Sequence, residues 1–299
     1  MYRYCVICVG FLVFLAPLLG QTAAEKRATC AYVLGLQQPD GGFAPAVVAS
    51  GDRKSSLRAT LGALRTLKYF DGELAHRAQC ERFIQGCFDK QSGAFADQPG
   101  GTADVITTSI GLMTLVELKL SVQEYQGPAF KYFGDHAKGF DEIRMVAAAI
   151  EAVHAEPATA GSWLQQVLAT QKADGTFGKG DGIARDTGSA IVTVMRLGGT
   201  VQDPKNVLKA LRKGQRADGG FGKEGAPASD LETSYRVTRA FHMLREKPDT
   251  ERLKAFVLRC RNADGGYGMT PGQPSSASTT YLAAIIAHWL SEPPSFPGD

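Results

Sequence analysis

Apolar residues recur along this chain at the spacing of helices. Leu57, Leu61, Leu64 and Leu67 follow one another at intervals of three or four residues, which places them on one face of a helix. The alternation of apolar and polar residues that marks a strand is nearly absent. The pattern therefore predicts an all-α protein.

The predicted helices come in pairs around glycine-rich turns. One set precedes the turns: Glu25–Leu36, Leu74–Phe88, Ala158–Thr170, Pro204–Lys213 and Thr250–Arg259. The other set follows them: Ser55–Tyr69, Val105–Leu118, Glu142–His154, Thr187–Leu197, Leu231–Leu244 and Ala277–Leu290. Pro157, Pro204 and Pro248 stand where new helices are expected to begin.

The turns repeat one motif, which is clearest in Gln215-Arg-Ala-Asp-Gly-Gly-Phe221. Other copies are Gln37–Phe43, Gln91–Phe95, Gln171–Phe177 and Arg261–Tyr267. A gap between the second and third of these is wide enough for a further copy, which we place at Lys131–Asp135. Glycine in such turns allows a positive φ, so the motif needs no ligand to explain it.

Six tandem helix pairs must bury their apolar faces against one another. The first pair (Cys30, Tyr32) and the last (Ile285, Trp289) are both apolar, whereas an open solenoid needs polar ends. We therefore expect a closed ring, an α/α toroid of six inner and six outer helices over residues 25–291. Residues 292–299 are expected to form a C-terminal tail.

Residues 1–24 have the pattern of a signal peptide. A basic start is followed by an apolar run from Val6 to Leu19 and by small residues. An uncleaved membrane anchor is the alternative. We expect an exported protein with no membrane span once the leader is removed.

The formal net charge of +3 does not identify a partner. Dense Lys/Arg runs with interleaved aromatic residues are missing, so no nucleic-acid partner is expected. The oligomeric state is left open.

Four cysteines remain after the leader: Cys30, Cys80, Cys87 and Cys260. Two disulfides or a set of buried thiols both fit an exported chain. Cys30 and Cys80 lie at similar heights on neighbouring predicted helices, which makes a Cys30–Cys80 disulfide feasible.

The repeated Q-x-x-D-G-G-F turns, each before an inner helix, resemble those of the prenyltransferase and squalene-cyclase family. The layout around Asp230 looks most like the β subunit of protein prenyltransferases of the geranylgeranyltransferase type. The resemblance covers residues 25–291. It implies a transferase family, an α/α barrel and an apolar funnel for an isoprenoid.

The resemblance also implies a zinc ion, but this chain matches only one of three family ligands. Asp230 matches the aspartate of the D-x-C motif, while Glu232 replaces its cysteine and Ser278 replaces the histidine. Oxygen ligands without thiolate or imidazole suit a hard cation such as Ca²⁺ better than zinc. We expect no zinc-dependent prenyl transfer and no cofactor.

The family's cradle for the diphosphate is altered as well. Its basic positions correspond to Glu224, Pro227 and Asp186, although Lys223 and Arg185 are adjacent to two of them. The proton donor of the related cyclases corresponds to Leu231.

The remaining site hypothesis rests on acidic and hydroxyl residues at the starts of inner helices. They are stabilised there by helix capping, or they form one polar rim. The candidate catalytic residues are Asp230, Glu232 and Asp186, with Asp186 as the expected partner because Asp230 and Glu232 point about 200° apart on a helix. The candidate cavity residues are Thr233, Ser234, Tyr235, Ser278 and Tyr281.

Three functions follow. The first is an exported family member whose funnel accepts an apolar or isoprenoid-like small molecule. The second is a carboxylate-dependent cavity enzyme, acting on a glycan or resembling a terpenoid cyclase. The third is an interaction scaffold without catalysis.

Overall fold

Pairs of helices form the framework of the described protein. The computed structural model describes residues 21–47 and 53–291. Six outer helices are α1 (Ala23–Leu34), α3 (Arg77–Gly86), α5 (Gln123–His136), α7 (Ala160–Leu168), α9 (Pro204–Lys213) and α11 (Thr250–Arg259). Six inner helices are α2 (Leu57–Tyr69), α4 (Val105–Glu117), α6 (Phe140–Val153), α8 (Ile183–Arg196), α10 (Leu231–Met243) and α12 (Ala277–Ser291). The all-α prediction is confirmed.

Two short elements interrupt the helical pattern. The strands β1 (Phe88–Asp89) and β2 (Ala94–Phe95) form an antiparallel hairpin, in which Phe88 is opposite Phe95. A single 3-10 turn, Gly180–Gly182, leads directly into α8.

The inner helices form a closed ring in which α12 packs against α2. The same backbone hydrogen bond links the start of an inner helix to the following unit at three points. Leu57 N donates to Asp97 O at 2.8 Å, Leu231 N to Met269 O at 2.9 Å, and Ala277 N to Pro45 O at 2.8 Å. The last bond joins the sixth unit to the first, so the predicted closed α/α toroid is confirmed.

The aspartates of the turns hold the turns themselves. Asp218 accepts from Gly220 N at 3.1 Å and from the Ser229 hydroxyl at 2.7 Å. Asp40 and Asp264 accept the equivalent pairs of bonds in their own turns. The motif is thus a self-contained structural unit.

The first glycine of the motif allows the turn to approach its neighbour. Gly219 has a φ of +89°, and a Cβ there would lie 2.2 Å from Arg252 O on the next outer helix. Gly265 makes the same close approach to Ala28 O of α1. The neighbouring Thr29 hydroxyl donates to the carbonyl oxygen of Gly265 at 2.7 Å. Each turn therefore fastens one unit to the next.

A hydroxyl on each of five inner helices holds the aromatic residue of the turn. The backbone N–H of the aromatic donates to it over 3.0–3.1 Å in the pairs Phe43–Thr60, Phe95–Thr108, Phe177–Thr187, Phe221–Ser234 and Tyr267–Thr280. All ten of these residues are buried. The aromatic rings of the turns are therefore part of the hydrophobic core.

The third unit departs from this pattern. Lys131–Asp135, where we placed a degenerate turn, lies inside α5, and that placement is wrong. The chain instead passes from α5 to α6 in three residues, 137–139, and Glu142 caps the new helix by accepting from Gly139 N at 2.9 Å. Ile143 occupies the position of the hydroxyl, so no aromatic turn can be held there.

The predicted Cys30–Cys80 disulfide is wrong, because all four described cysteines are free and buried. The Cys30 sulfur faces the Phe70 carbonyl, 3.8 Å away. Cys80 lies instead beneath the first turn, where a Cβ on Gly41 would come within 2.3 Å of its backbone nitrogen. Cys30 therefore contacts the end of α2, whereas the backbone of Cys80 lies against the first turn.

Residues 1–20 and 292–299 lie outside the described chain, so the apolar run of the predicted leader and the predicted tail do too. Thr22 and Glu25 form a capping box at the start of α1. Among the helices described, none has the length and apolar character to cross a membrane.

Candidate functional site

Asp230 is the N-cap of α10. It accepts from Thr233 N at 2.7 Å and from the Thr233 hydroxyl at 2.9 Å, and only 7% of its surface is exposed. Both carboxylate oxygens are engaged in capping. Of the two interpretations offered by the sequence, the geometry matches the capping one.

The predicted cavity residues Thr233 and Ser234 also have structural partners. Thr233 bonds Asp230, and the Ser234 hydroxyl accepts from Phe221 N at 3.0 Å. Ser278 is half-buried. It occupies the same position in α12 as Glu232 in α10, two residues before the hydroxyl that holds the turn.

Glu232 lies on the inner face of α10 and is paired with cations. Its carboxylate is 2.6 Å from Arg236, 3.3 Å from Lys223 and 4.0 Å from Arg185. Burial opposes ionisation, but the charges of Arg236 and Lys223 outweigh it and lower the pKa of Glu232. Glu232 is therefore an anion at neutral pH.

Asp186 does not pair directly with either candidate carboxylate. It lies against Gly178 and is 3.4 Å from Arg185. Since Arg185 also faces Glu232, a guanidinium separates the two acidic groups.

The zinc ion implied by the family does not fit this set. Asp230 is occupied by its cap, Glu232 by Arg236, and Ser278 offers only a hydroxyl. In residues 21–47 and 53–291, no three His, Cys, Asp or Glu side chains are grouped as metal ligands. Asp230, Glu232 and Ser278 therefore do not fit the zinc site that the family implies.

Three arginines gather near the turn end of the ring, and we call Arg144, Arg185 and Arg236 the arginine cluster. Arg144 lies 3.3 Å and Arg236 3.5 Å from the carboxylate of Asp141. Arg236 is on α10 and Asp141 on α6, with α8 between these helices, so their contact crosses the interior of the ring. Burial, and next the charge of Arg236, lower the pKa of Arg144.

A second set of charges lies deeper. Arg239 and Arg196 hold Glu151 at 2.8 and 3.0 Å, and Arg65 holds Glu117 at 2.8 Å. We call these five residues, together with Tyr235 and Tyr281, the central network. Glu151 is seven residues beyond Arg144 on α6, a distance of about 10 Å along the helix axis.

Aromatic rings complete this interior. Tyr235 stacks on Trp289 with centroids 5.6 Å apart and lies 6.0 Å from Tyr281. The guanidinium of Arg239 lies 5.3 Å from the Trp289 centroid, a cation–π contact. The described interior therefore combines aromatic faces with guanidinium groups, and the expected apolar funnel stays a prediction.

Of the eight candidate residues, the structure brings Tyr235 and Tyr281 together at the centre. Asp230, Glu232, Asp186, Thr233 and Ser234 are held in caps, turns or ion pairs, and Ser278 is half-buried in α12. The sequence reasoning missed Arg65, Arg144, Arg196, Arg236 and Arg239. A signal for them was present, because each is a charged residue within a helix whose other residues are mostly buried.

Comparison with known proteins agrees with the geometry of the ring. The model of the prenyltransferase alpha-alpha toroid domain matches residues 2–73, 60–131 and 143–295. No curated protein matches this chain in sequence.

Solved structures share the fold at low identity. The type II terpene cyclase MstE from Scytonema is 13% identical with a TM-score of 0.62, covering 92% of this chain and 98% of its own. The Candida albicans protein geranylgeranyltransferase-I complexed with GGPP is 14% identical with a TM-score of 0.61, covering 77% and 82%. A glycoside hydrolase family 76 mannosidase from Bacteroides thetaiotaomicron is 10% identical with a TM-score of 0.62, covering 89% and 96%.

Such identities establish the fold alone, and the three proteins named have different activities. The family model, in contrast, extends over most of the sequence. This chain therefore belongs to the prenyltransferase alpha-alpha toroid family.

Proposed function

We propose that this protein binds an isoprenoid-like amphiphile with an anionic head group inside its ring, and that it does so without zinc. The observation that carries the proposal is the charge of the interior. The ion pairs of the arginine cluster and the central network join seven cations (Arg65, Arg144, Arg185, Arg196, Arg236, Arg239 and Lys223) to five carboxylates (Glu117, Asp141, Glu151, Asp186 and Glu232), an excess of two positive charges. An anionic group would balance that excess.

The arginine cluster suits the head group. Guanidinium groups bind carboxylate and phosphate oxygens through two parallel hydrogen bonds. In the described chain the buried Nε of Arg185 has no hydrogen-bond partner, so this side chain has a donor to offer. Arg144 and Arg236 repel each other across Asp141, and an anion between them would relieve that repulsion.

The aromatic faces suit the hydrocarbon part of the ligand. Tyr235 and Tyr281 are half-buried aromatic residues at the centre of the ring, and buried Trp289 stacks on Tyr235. Two of the similar structures are an isoprenoid-cyclising enzyme and a transferase complexed with GGPP, which supports the same class of ligand here.

The carboxylate-dependent alternative receives less support. A glycoside hydrolase needs one carboxyl group that stays protonated, with a raised pKa, to serve as the general acid. Arginines lower the pKa of both Glu232 and Glu151. Neither can donate a proton at neutral pH.

Fluorescence of Trp289 tests the proposal. The chain has two tryptophans, and Trp289 stacks on Tyr235, whereas Trp163 lies on the outer helix α7. The Trp163→Phe variant would therefore report on the interior. We expect saturable quenching by geranylgeranyl diphosphate, and binding at least about tenfold weaker for the neutral geranylgeraniol, since a charge-assisted hydrogen bond contributes about 1.5–3 kcal/mol.

Two arginine variants sharpen that titration. Arg185→Gln should weaken binding of the diphosphate about tenfold or more and leave geranylgeraniol unchanged. Arg82→Gln, which removes the same charge from an exposed position on α3, is the control and should change neither. Equal affinity for the two lipids would contradict the proposed head-group site, and no saturable signal with either would favour the scaffold.

We also propose that residues 1–24 direct export, on the pattern of their sequence. Expression with and without these residues, followed by N-terminal sequencing of the secreted protein, tests this. Retention of the intact leader on secreted protein would contradict cleavage.

A further inference from the structure

A cavity lies where the last pair of helices closes against the first, and we call it the seam cavity. Its volume is about 170 Å³. It is lined by the C-terminal ends of the inner helices α2 and α12 and by residues of the outer helices α1 and α11. None of the described residues that line it belongs to the arginine cluster or the central network. The seam cavity is therefore separate from the interior site proposed above.

Most of the lining of the seam cavity is apolar. Phe70, Val257 and Leu290 line it and are buried. The rings of Tyr69 and His288 also line it, and their centroids are 4.7 Å apart. Aromatic and aliphatic surfaces together favour a ligand with a flat apolar body.

Two lysines supply the charge of the seam cavity. The half-buried Lys26 lies with its ammonium group 5.6 Å from the Phe70 centroid, a cation–π contact that holds it beside the apolar lining. Lys254 is paired with Glu251 at 3.2 Å, whereas Lys26 forms no ion pair within residues 21–47 and 53–291.

Acidic side chains are missing from the described lining of the cavity, which includes neither aspartate nor glutamate. Within the described chain, one positive charge thus remains unpaired beside an apolar surface. A ligand with a single negative charge, such as a carboxylate, would complement that charge.

The size of the seam cavity limits the ligand further. An apolar cavity of about 150 Å³ is large enough to bind one benzene ring. The seam cavity, at about 170 Å³, therefore admits a single ring with a small substituent, but not a chain of several isoprene units.

We infer that the seam cavity is a second ligand site of this protein and that it binds a small aromatic carboxylate. The ring would lie against Phe70 and Leu290, and the carboxylate would accept a hydrogen bond from Lys26. Gln21 lines the cavity too and belongs to the predicted leader. All residues on which the inference rests lie beyond residue 24, so it holds whether or not the leader is removed.

Fluorine NMR with 4-fluorobenzoate tests the inference. We expect a saturable change in the ligand signal when the protein is added. Binding of the neutral 4-fluorobenzyl alcohol, which has the same ring without the charge, should be at least about tenfold weaker, because it lacks the charge-assisted hydrogen bond.

Two lysine variants locate the charge. Lys26→Met keeps an apolar side chain of similar length, so it should weaken 4-fluorobenzoate about tenfold and leave the alcohol unchanged. Lys209→Met, which removes the same charge from an exposed position on α9, is the matched control and should change neither.

Two further variants locate the ring. Ala287→Leu adds a larger side chain to the lining of the seam cavity and should abolish binding of both ligands, with circular dichroism to establish that the variant is folded. Arg185→Gln alters the arginine cluster and should leave 4-fluorobenzoate binding unchanged.

The inference is overturned if Arg185→Gln weakens 4-fluorobenzoate and Lys26→Met does not, because the carboxylate would then bind in the interior of the ring. Equal affinity for the acid and the alcohol, or no saturable binding of either, overturns it as well. The titration with geranylgeranyl diphosphate reports on Trp289, which does not line the seam cavity, so either proposal can fail without the other.

Discussion

The turns and the interior of this ring differ in how far their residues repeat from unit to unit. At the hydroxyl that holds each turn, five units carry nearly the same residue: Thr60, Thr108, Thr187, Ser234 and Thr280. The residue that follows the hydroxyl varies: it is Leu61, Ser109 or Gly188 in three units and a tyrosine, Tyr235 or Tyr281, in the other two. Residues that repeat from unit to unit stabilise the ring, and residues that differ between units are the ones available for a ligand.

Gly219→Ala should cause the largest loss of stability, because it introduces a side chain where a turn contacts the next outer helix. The new Cβ would lie 2.2 Å from Arg252 O, at a φ of +89°. We expect a loss of about 3 kcal/mol or more in the free energy of unfolding, measured by urea denaturation.

Gly127→Ala is the matched control for that variant. A Cβ at Gly127 has nothing within 4 Å, and the residue is inside α5, where alanine favours the helix. Equal losses for the two variants would show that the turns have no special part in stability.

Thr187→Ala should have the next largest effect. Its hydroxyl accepts from Phe177 N at 3.0 Å and is fully buried. Its removal leaves that amide buried without an acceptor, at a cost of about 1–3 kcal/mol. Thr187→Ser should retain most of the stability, since Ser234 makes the same bond in another unit. A large loss in Thr187→Ser would mean that the methyl group, not the hydroxyl, is what the turn requires.

Glu232→Gln tests the interior with a smaller effect. Arg236 and Lys223 lower the folded-state pKa of Glu232 below its ordinary value of 4.5. The stability from this ion pair is therefore complete above the unfolded-state pKa and is lost as the pH falls through the folded-state value.

At neutral pH the variant should be about 1 kcal/mol less stable than wild type, and the difference should vanish at low pH. Urea denaturation at several pH values measures it. A difference that is constant with pH would show that the charge of Glu232 does not contribute.

Alkylation of the cysteines should show the smallest effect. The cysteines lie on the outer helices or at their ends, away from the interior. Burial raises the pKa of Cys80, Cys87 and Cys260 to about 12, so none is a reactive thiolate at neutral pH. We expect negligible alkylation of the folded protein and full alkylation of Cys30 and Cys80 after unfolding without reductant. Failure of both to react until reductant is added would restore the disulfide.

The difference between the two regions also explains what could be predicted from the sequence. The repeated helix pairs could be predicted from the turns, because a motif such as Asp218-Gly219 occurs in several units. The closure of the ring was predicted from the apolar character of the first and last pairs. The third unit escaped prediction because Ile143 replaces the hydroxyl and the turn disappears with it.

The interior could be predicted only in part. Tyr235 and Tyr281 were identified because they are close to the family's motif positions. Arg236 and Arg239 were not, because their contacts with Asp141 and Glu151 join helices that are not neighbours in the ring. No local spacing reveals a pair that forms across an interior.

Photoaffinity labelling tests the central claim most directly. A geranylgeranyl diphosphate analogue with a photoreactive group in its hydrocarbon chain would be crosslinked to the protein and the labelled peptides identified by mass spectrometry. We predict label on α10 and α12, near Tyr235, Tyr281 and Trp289, and its displacement by unmodified geranylgeranyl diphosphate. Label confined to outer helices such as α3 or α9, or label that unmodified lipid does not displace, would contradict an interior ligand site.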